Sequence, residues 1–76
     1  MSRKLQLTAV FEPAAEGGFT CFFEEMPEVF SEGETIEEAR ENLQDAFQMM
    51  MEYHRDEARE HSSKTAQREV MELALA

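Results

Sequence analysis

The spacing of apolar residues changes at Gly33, and this change constrains the fold more than any other feature of the chain. Before Gly33, apolar side chains tend to recur at every second position, and after it they recur every three or four residues. A period of two is typical of strands that bury one face, and a period near 3.6 is typical of a helix with an apolar stripe. The sequence therefore predicts a small sheet followed by a helix.

The first half of the chain contains a predicted β-hairpin. Residues 4–11 alternate between apolar and polar, and residues 19–23 are rich in side chains that suit a pleated surface. Between them, Pro13 ends the first strand, and Gly17 and Gly18 supply the turn. Four apolar residues share one side of the first strand: Leu5, Leu7, Ala9 and Phe11. We expect the two strands to pair in antiparallel fashion.

A third, shorter strand is predicted between the hairpin and the helix. The Met26–Pro27 pair interrupts the direction of the chain, and residues 29–31 have the composition of a short strand. Gly33 then ends the strand, and we expect it to permit a tight turn with a left-handed backbone conformation.

A long amphipathic helix is predicted from Thr35 to about Arg59. Thr35 is a candidate N-cap, and Glu38, three residues later, completes the pattern of a capping box. Ala39 is small, which would let the helix approach the sheet closely. The apolar stripe consists of six residues: Ile36, Ala39, Leu43, Ala46, Phe47 and Met50.

The last predicted element lies at residues 66–75, where the pattern alternates again after Ser62–Ser63. Met71, Leu73 and Leu75 share one side of this segment, but its residues also favour helix. The alternation and the need for a further core layer favour a fourth strand. The complete prediction is one α+β domain over residues 1–76. It has the order β-β-β-α-β, with one small, mainly antiparallel sheet and one long helix on a face.

Acidic residues are concentrated in one part of the chain. The whole sequence has a net charge of −10. Residues 12–45 contain eleven acidic residues and the single base Arg40, so this segment alone accounts for the net charge. Such a charge repels nucleic acid and attracts basic proteins, although it also serves simply to keep a small protein in solution.

The predicted candidates for a protein-binding surface are acidic residues and exposed methionines. One helix covers one face of a sheet, yet the strands carry apolar residues on both faces, which favours a homo-oligomer, most simply a dimer. Three consecutive methionines cannot all lie in one helical stripe, so Met49 or Met51 is expected at an interface or is incidentally exposed. The candidate contact residues are Glu24, Glu25, Glu28, Glu32, Met49 and Met51.

The order of several short motifs resembles the HicB antitoxin family. The resemblance runs from about residue 4 to residue 58, and it consists of a Gly-Gly-aromatic strand start, a Pro-Glu passage, a Ser-x-Gly-x-Thr passage and a Glu-Glu-Ala helix start. The residues that match are Gly17–Gly18–Phe19, Met26–Pro27–Glu28, Ser31–Glu32–Gly33–Glu34–Thr35 and Glu37–Glu38–Ala39. We interpret Gly17, Gly18, Pro27, Gly33, Thr35, Glu38 and Ala39 as structural residues.

The resemblance implies a reduced ribonuclease-H-like fold and a protein partner. Proteins of the HicB family bind HicA, a small basic protein that cleaves mRNA, and cover its active site. Many of them also carry a C-terminal DNA-binding module. Only sixteen residues follow residue 60 in this sequence, too few for a helix-turn-helix, so we expect no direct binding to nucleic acid.

Catalytic and metal-binding roles are not indicated by the sequence. A ribonuclease-H-like metal site needs converging carboxylates, for which Glu12, Glu24, Glu25 and Glu32 are candidates, but the first strand lacks an acidic residue at its centre. His54 and His61 are too far apart in sequence to share a metal ion as helical neighbours, and the single Cys21 fits a small buried side chain. We therefore expect no enzyme activity, no cofactor and no metal.

The sequence alone favours an antitoxin-like, cytoplasmic protein-binding domain. The predicted partner is a small basic HicA-like toxin, bound through acidic and apolar contacts. The alternative is a stand-alone oligomeric domain with a structural or regulatory role and no toxin partner. No stretch of the sequence is long and apolar enough for a signal peptide or a membrane span.

Overall fold

The computed structural model describes residues 6–73 and confirms an α+β fold with three strands followed by one long helix. The elements are β1 (Ala9–Pro13), β2 (Phe19–Phe23), β3 (Met26–Gly33) and α1 (Ile36–His61). The strands form one sheet in the order β1-β2-β3, and both pairs are antiparallel. The helix lies mainly over β3, less over β2 and least over β1.

Two tight turns connect the three strands. Between β1 and β2, the Ala14 N–H donates to the Gly18 carbonyl at 3.0 Å, and Gly17 and Gly18 adopt positive φ angles of 104° and 73°. Residues with a side chain rarely adopt such angles, which explains the glycine pair. Glu24 and Glu25 form the turn between β2 and β3.

The start of α1 is fixed by a side-chain cap. The Glu38 N–H donates to the Thr35 hydroxyl oxygen at 3.1 Å, which satisfies one of the backbone donors that a helix leaves free in its first turn. Glu37 and Glu38 lie in that first turn, where the helix dipole favours negative charge.

The core is thin and lies between α1 and one face of the sheet. Only Cys21, Val29, Ala39 and Leu43 are fully buried within the described part of the chain. A ring of half-buried apolar residues surrounds them: Ala9, Phe11, Phe19, Phe23, Met26, Ala46, Phe47 and Met50. Eleven of these twelve residues, all except Met26, lie in the predicted strands and helix, so the periodicity located the core correctly.

The helix approaches the sheet closely where Cys21, Gly33 and Ala39 meet. The Cys21 thiol donates to the Ala39 carbonyl oxygen at 3.3 Å, and burial raises the pKa of this thiol, an effect partly offset by a hydrogen bond with the backbone of Ser31. A Cβ atom added to Gly33 would lie 2.5 Å from the Ala39 backbone nitrogen. The left-handed conformation predicted for Gly33 is wrong, because its φ is not positive. Glycine is required at this position because α1 packs so close to its backbone that a side chain would not fit.

Two predicted strand boundaries are wrong. The first strand begins at Ala9, because the Thr8 N–H donates to the Glu25 carboxylate and not to a neighbouring strand. Lys4 and Leu5 lie outside the described residues. The third strand begins at Met26 because the chain reverses at Glu24–Glu25, and Pro27 is tolerated in this strand since an edge strand does not need every N–H group.

The predicted fourth strand is also absent from the part of residues 66–75 that the structure describes. Residues 66–73 have no regular secondary structure, and residues 74 and 75 lie outside the described range. A strand needs a neighbour with which to pair, and α1 continues beyond the sheet and carries this segment away from β1 and β3. Within residues 6–73, no helix combines the length and apolar character needed to cross a bilayer.

We expect Gly33→Ala to destabilise the fold. The new methyl group would overlap backbone atoms of Ala39 and Glu38, which cannot rotate away, and overpacking of this kind costs about 1–3 kcal/mol. Urea denaturation measures the change in the free energy of unfolding.

Gly17→Ala is the matched control for this substitution. Gly17 has a positive φ, but nothing lies within 4 Å of its added Cβ, so backbone strain of about 1 kcal/mol is its main cost. If Gly33→Ala destabilised the protein no more than Gly17→Ala, the close approach of α1 to β3 would not limit stability.

Candidate protein-binding surface

The sheet face opposite α1 carries a row of apolar side chains across all three strands. Val10 pairs with Phe22, and Phe22 pairs with Phe30, so the three residues lie side by side. Val10 and Phe22 are half-buried, whereas Phe30 is 71% exposed. We call this face of the sheet the open face. An exposed aromatic side chain such as Phe30, on the edge strand β3, lacks the burial energy that a contacting surface would supply.

Carboxylates lie on both sides of this apolar row. In the next row of the open face, Glu12 pairs with Thr20 and Thr20 pairs with Glu32. On β3, Glu28 and Glu32 alternate with the buried Val29 and therefore flank Phe30 on the open face. All three glutamates are exposed. The open face thus combines apolar contact area with negative charge.

The sequence-predicted contact residues do not form one surface. Glu28 and Glu32 lie on the open face, and Glu24 lies in the turn that follows β2. Met49 and Met51 are 69% and 44% exposed, but they belong to α1, which covers the other face of the sheet. They flank the half-buried Met50 on opposite sides of the helix, about 200° apart. The structure adds Glu12, Val10, Phe22 and Phe30, and the register of the strands was needed to find them.

Glu25 is engaged within the fold. One of its carboxylate oxygens accepts the Thr8 N–H at 2.6 Å, and the other accepts the Thr8 hydroxyl at 2.7 Å. These bonds hold the pKa of the Glu25 carboxyl below its usual value, and the bond from the Thr8 backbone N–H has the largest effect. Glu25 therefore anchors the segment before β1 to the β2–β3 turn, and its carboxylate is already occupied.

The four carboxylates considered for a nuclease site are split between the two ends of the sheet. Glu24 and Glu25 lie at the β2–β3 turn, and Glu12 and Glu32 flank Thr20, four residues or about 13 Å along β2. Across residues 6–73, no group of three His, Cys, Asp or Glu side chains is placed to hold a metal ion.

A cleft beside the helix start contains further acidic residues. It has a volume of about 300 Å³ and lies between the β1–β2 turn and the first turns of α1. Glu32, Glu34 and Glu38 line it, and the Asn42 amide at its edge donates to the Glu32 carbonyl at 2.8 Å. The acidic surface of the open face therefore continues around the edge of β3.

Comparison with known proteins identifies the family. A UPF0150 protein of Synechocystis sp. is 39% identical to this chain over 49 residues, which are 64% of this chain and 68% of that protein. The chain belongs to the UPF0150 family. No family model matches the sequence, and no solved structure matches it.

For this UPF0150 domain, we expect Glu25→Gln to change the dependence of stability on pH. A carboxyl with a lowered pKa in the folded state stabilises the fold above its unfolded pKa, and this contribution is lost as the pH falls through the folded value. The wild type should therefore be more stable than the variant at pH 7, and the difference should shrink below about pH 4.5.

Urea midpoints measured between pH 7 and pH 3 test this expectation, with Glu24→Gln as control. Glu24 is the neighbouring exposed carboxylate in the same turn, and its side chain accepts no hydrogen bond from the described residues. Parallel pH profiles for the wild type and Glu25→Gln would show that the Thr8 contacts do not stabilise the ionised carboxyl.

Proposed function

We propose that this UPF0150 domain is an antitoxin-like binding protein, without catalytic activity, that neutralises a small basic RNA-cleaving protein in the cytoplasm by covering it with the open face. The observation that carries the proposal is the row of Val10, Phe22 and Phe30 between carboxylates. The resemblance of its motifs to the HicB family supports the choice of a HicA-like toxin as partner.

The open face has the two properties that a protein-binding surface needs. The apolar row supplies area whose removal from water favours association, at about 25 cal/mol per Å² before the costs of binding are subtracted. Glu12, Glu28 and Glu32 supply charge around this row, which speeds encounter with a basic surface and disfavours acidic partners.

The charge also disfavours two other occupants of the open face. A nucleic-acid backbone would meet the same carboxylates and be repelled. In a two-fold dimer formed through the open face, each copy would place Glu12, Glu28 and Glu32 close to the equivalent carboxylates of the other copy, which is unfavourable. A basic protein avoids both problems.

We expect reversal of Glu12, Glu28 and Glu32 to Lys to slow association with the basic partner by about tenfold at low salt and to flatten the salt dependence of the association rate. Glu25 is left unchanged because it binds Thr8. Stopped-flow or surface plasmon resonance measurements at several salt concentrations give these rates.

The control reverses Glu52, Asp56 and Glu60, which are also exposed and lie on α1 after Met50, the last helix residue packed on the core. It changes the net charge by the same amount at a different place. Equal slowing by both triple variants would mean that the total charge, and not the open face, attracts the partner.

A pull-down with the tagged chain identifies the partner. We expect the wild type at low salt to recover a small basic protein in stoichiometric amount, and the variant with Lys at residues 12, 28 and 32 to recover much less. The purified partner should cleave RNA, and addition of this chain should stop the cleavage. Continued cleavage in the presence of a saturating amount of this chain would refute the antitoxin function.

A further inference from the structure

A cleft at the end of α1 gathers basic side chains of an otherwise acidic protein. It has a volume of about 440 Å³ and lies between the last turns of the helix and the segment 66–69 that follows. Three of the seven basic residues of the chain line it: Arg55, Arg59 and Arg68. Glu69 is the one acid among the described residues of its lining, which therefore carries a net charge of +2. We call this cavity the arginine cleft.

The periodicity of α1 places two of the arginines on one face of the helix. Arg55 and Arg59 are four residues apart and therefore about 40° apart around the helix axis. Glu52 and Asp56 precede them by three residues each, a spacing at which ion pairs can form. Neither of these pairs is formed within residues 6–73. The two guanidinium groups thus keep their charge available on the side of the cleft.

The end of the helix does not depend on these guanidinium groups for its hydrogen bonds. The Ser62 N–H donates to the Ala58 carbonyl at 2.9 Å, and the Ser62 hydroxyl donates to the Arg59 carbonyl at 3.2 Å. Ser62 therefore satisfies two of the carbonyl groups that a helix leaves free in its last turn. The Arg68 guanidinium donates to the same hydroxyl oxygen at 2.9 Å, which holds the third arginine beside the other two.

The chemistry of the lining suits a small anion with two negative charges. Three like charges around one cavity repel each other, and an anion between them removes this repulsion. Each guanidinium presents a planar fork of N–H donors that matches the oxygen atoms of a phosphate group, and a tetrahedral phosphate can accept from several forks at once. Its charge of about −2 balances the +2 of the lining.

A nucleic-acid backbone fits the arginine cleft less well than a phosphate dianion does. Each phosphodiester carries a single negative charge, and the neighbouring phosphates of the polymer would meet the acidic surfaces of a chain whose net charge is −10. A small anion occupies the cleft alone and avoids that repulsion.

We propose that the arginine cleft binds a phosphate dianion, either free phosphate or the phosphate group of a monoester. Arg55 and Arg59 hold it from the helix, and Arg68 holds it from the segment after the helix. The bound ion thereby fastens residues 66–69 to the end of α1. The site lies beyond Met50, the last helix residue packed on the core, so its occupancy does not require a partner on the open face.

Titration of the whole chain at constant ionic strength tests the proposal, with the arginine side-chain NMR signals as readout. Inorganic phosphate and glycerol phosphate are the two dianionic probes, and we expect saturable shifts of the cleft arginines with a dissociation constant on the order of millimolar. Dimethyl phosphate, a monoanionic diester, should bind at least about tenfold more weakly. Preference for either dianion identifies the source of the phosphate group. Shifts that do not saturate with any probe, or equal affinity for the diester, would overturn the proposal.

Two substitutions that remove the same charge separate the cleft from general attraction. Arg59→Gln removes one fork from the lining and should raise the dissociation constant about tenfold. Lys64→Gln removes an exposed base from the turn that precedes residues 66–69, outside the lining, and should change it less than about twofold. Equal weakening by both variants would show that the anion is attracted by total charge and not bound in the cleft.

Hydrogen exchange reports whether the bound ion fastens the segment after the helix. With saturating phosphate, the amides of residues 66–69 should exchange at least about threefold more slowly, whereas those of β1 should be unchanged. Saturable binding without protection of residues 66–69 would contradict the role assigned to Arg68.

Discussion

The close approach of α1 to β3 is the constraint on which the rest of the structure depends. Gly33 has no side chain, Ala39 is completely buried, and the Cys21 thiol reaches the Ala39 carbonyl between them. These three small residues let the first turns of α1 lie directly on the sheet, so Leu43 can fill the centre of the core. Because only four residues are fully buried, a shift of the helix by a fraction of an ångström would disturb much of the packing.

The position of the helix decides which surfaces remain uncovered. A single helix seated over β3 and β2 cannot also shield the open face or the outer edge of β1. A chain of this size buries a smaller fraction of its surface than a larger domain does, so contacts with other molecules can add a substantial part of its stability. The exposed Phe30 lies on the open face and marks a place where such a contact would help.

The sequence predicts the elements of the fold better than their ends. The stripe from Ile36 to Met50 and the cap at Thr35 depend on residues close together in the chain, so their spacing is visible in the sequence. The start of β1 depends on Thr8 and Glu25, seventeen residues apart, and no local pattern reports that pairing. The sequence indicates that residue 33 must be glycine. The physical reason, a close contact with the backbone of α1, is visible only in the folded chain.

Alternation in a sequence indicates a strand but not the chain with which the strand pairs. The same ambiguity affected the open face, whose residues were visible as apolar or acidic but whose alignment across three strands required the register. Charge narrows the kinds of surface that can meet the open face. Its glutamates favour a basic surface and oppose the same face of a second copy, and their grouping around the apolar row follows from the register rather than from any local pattern.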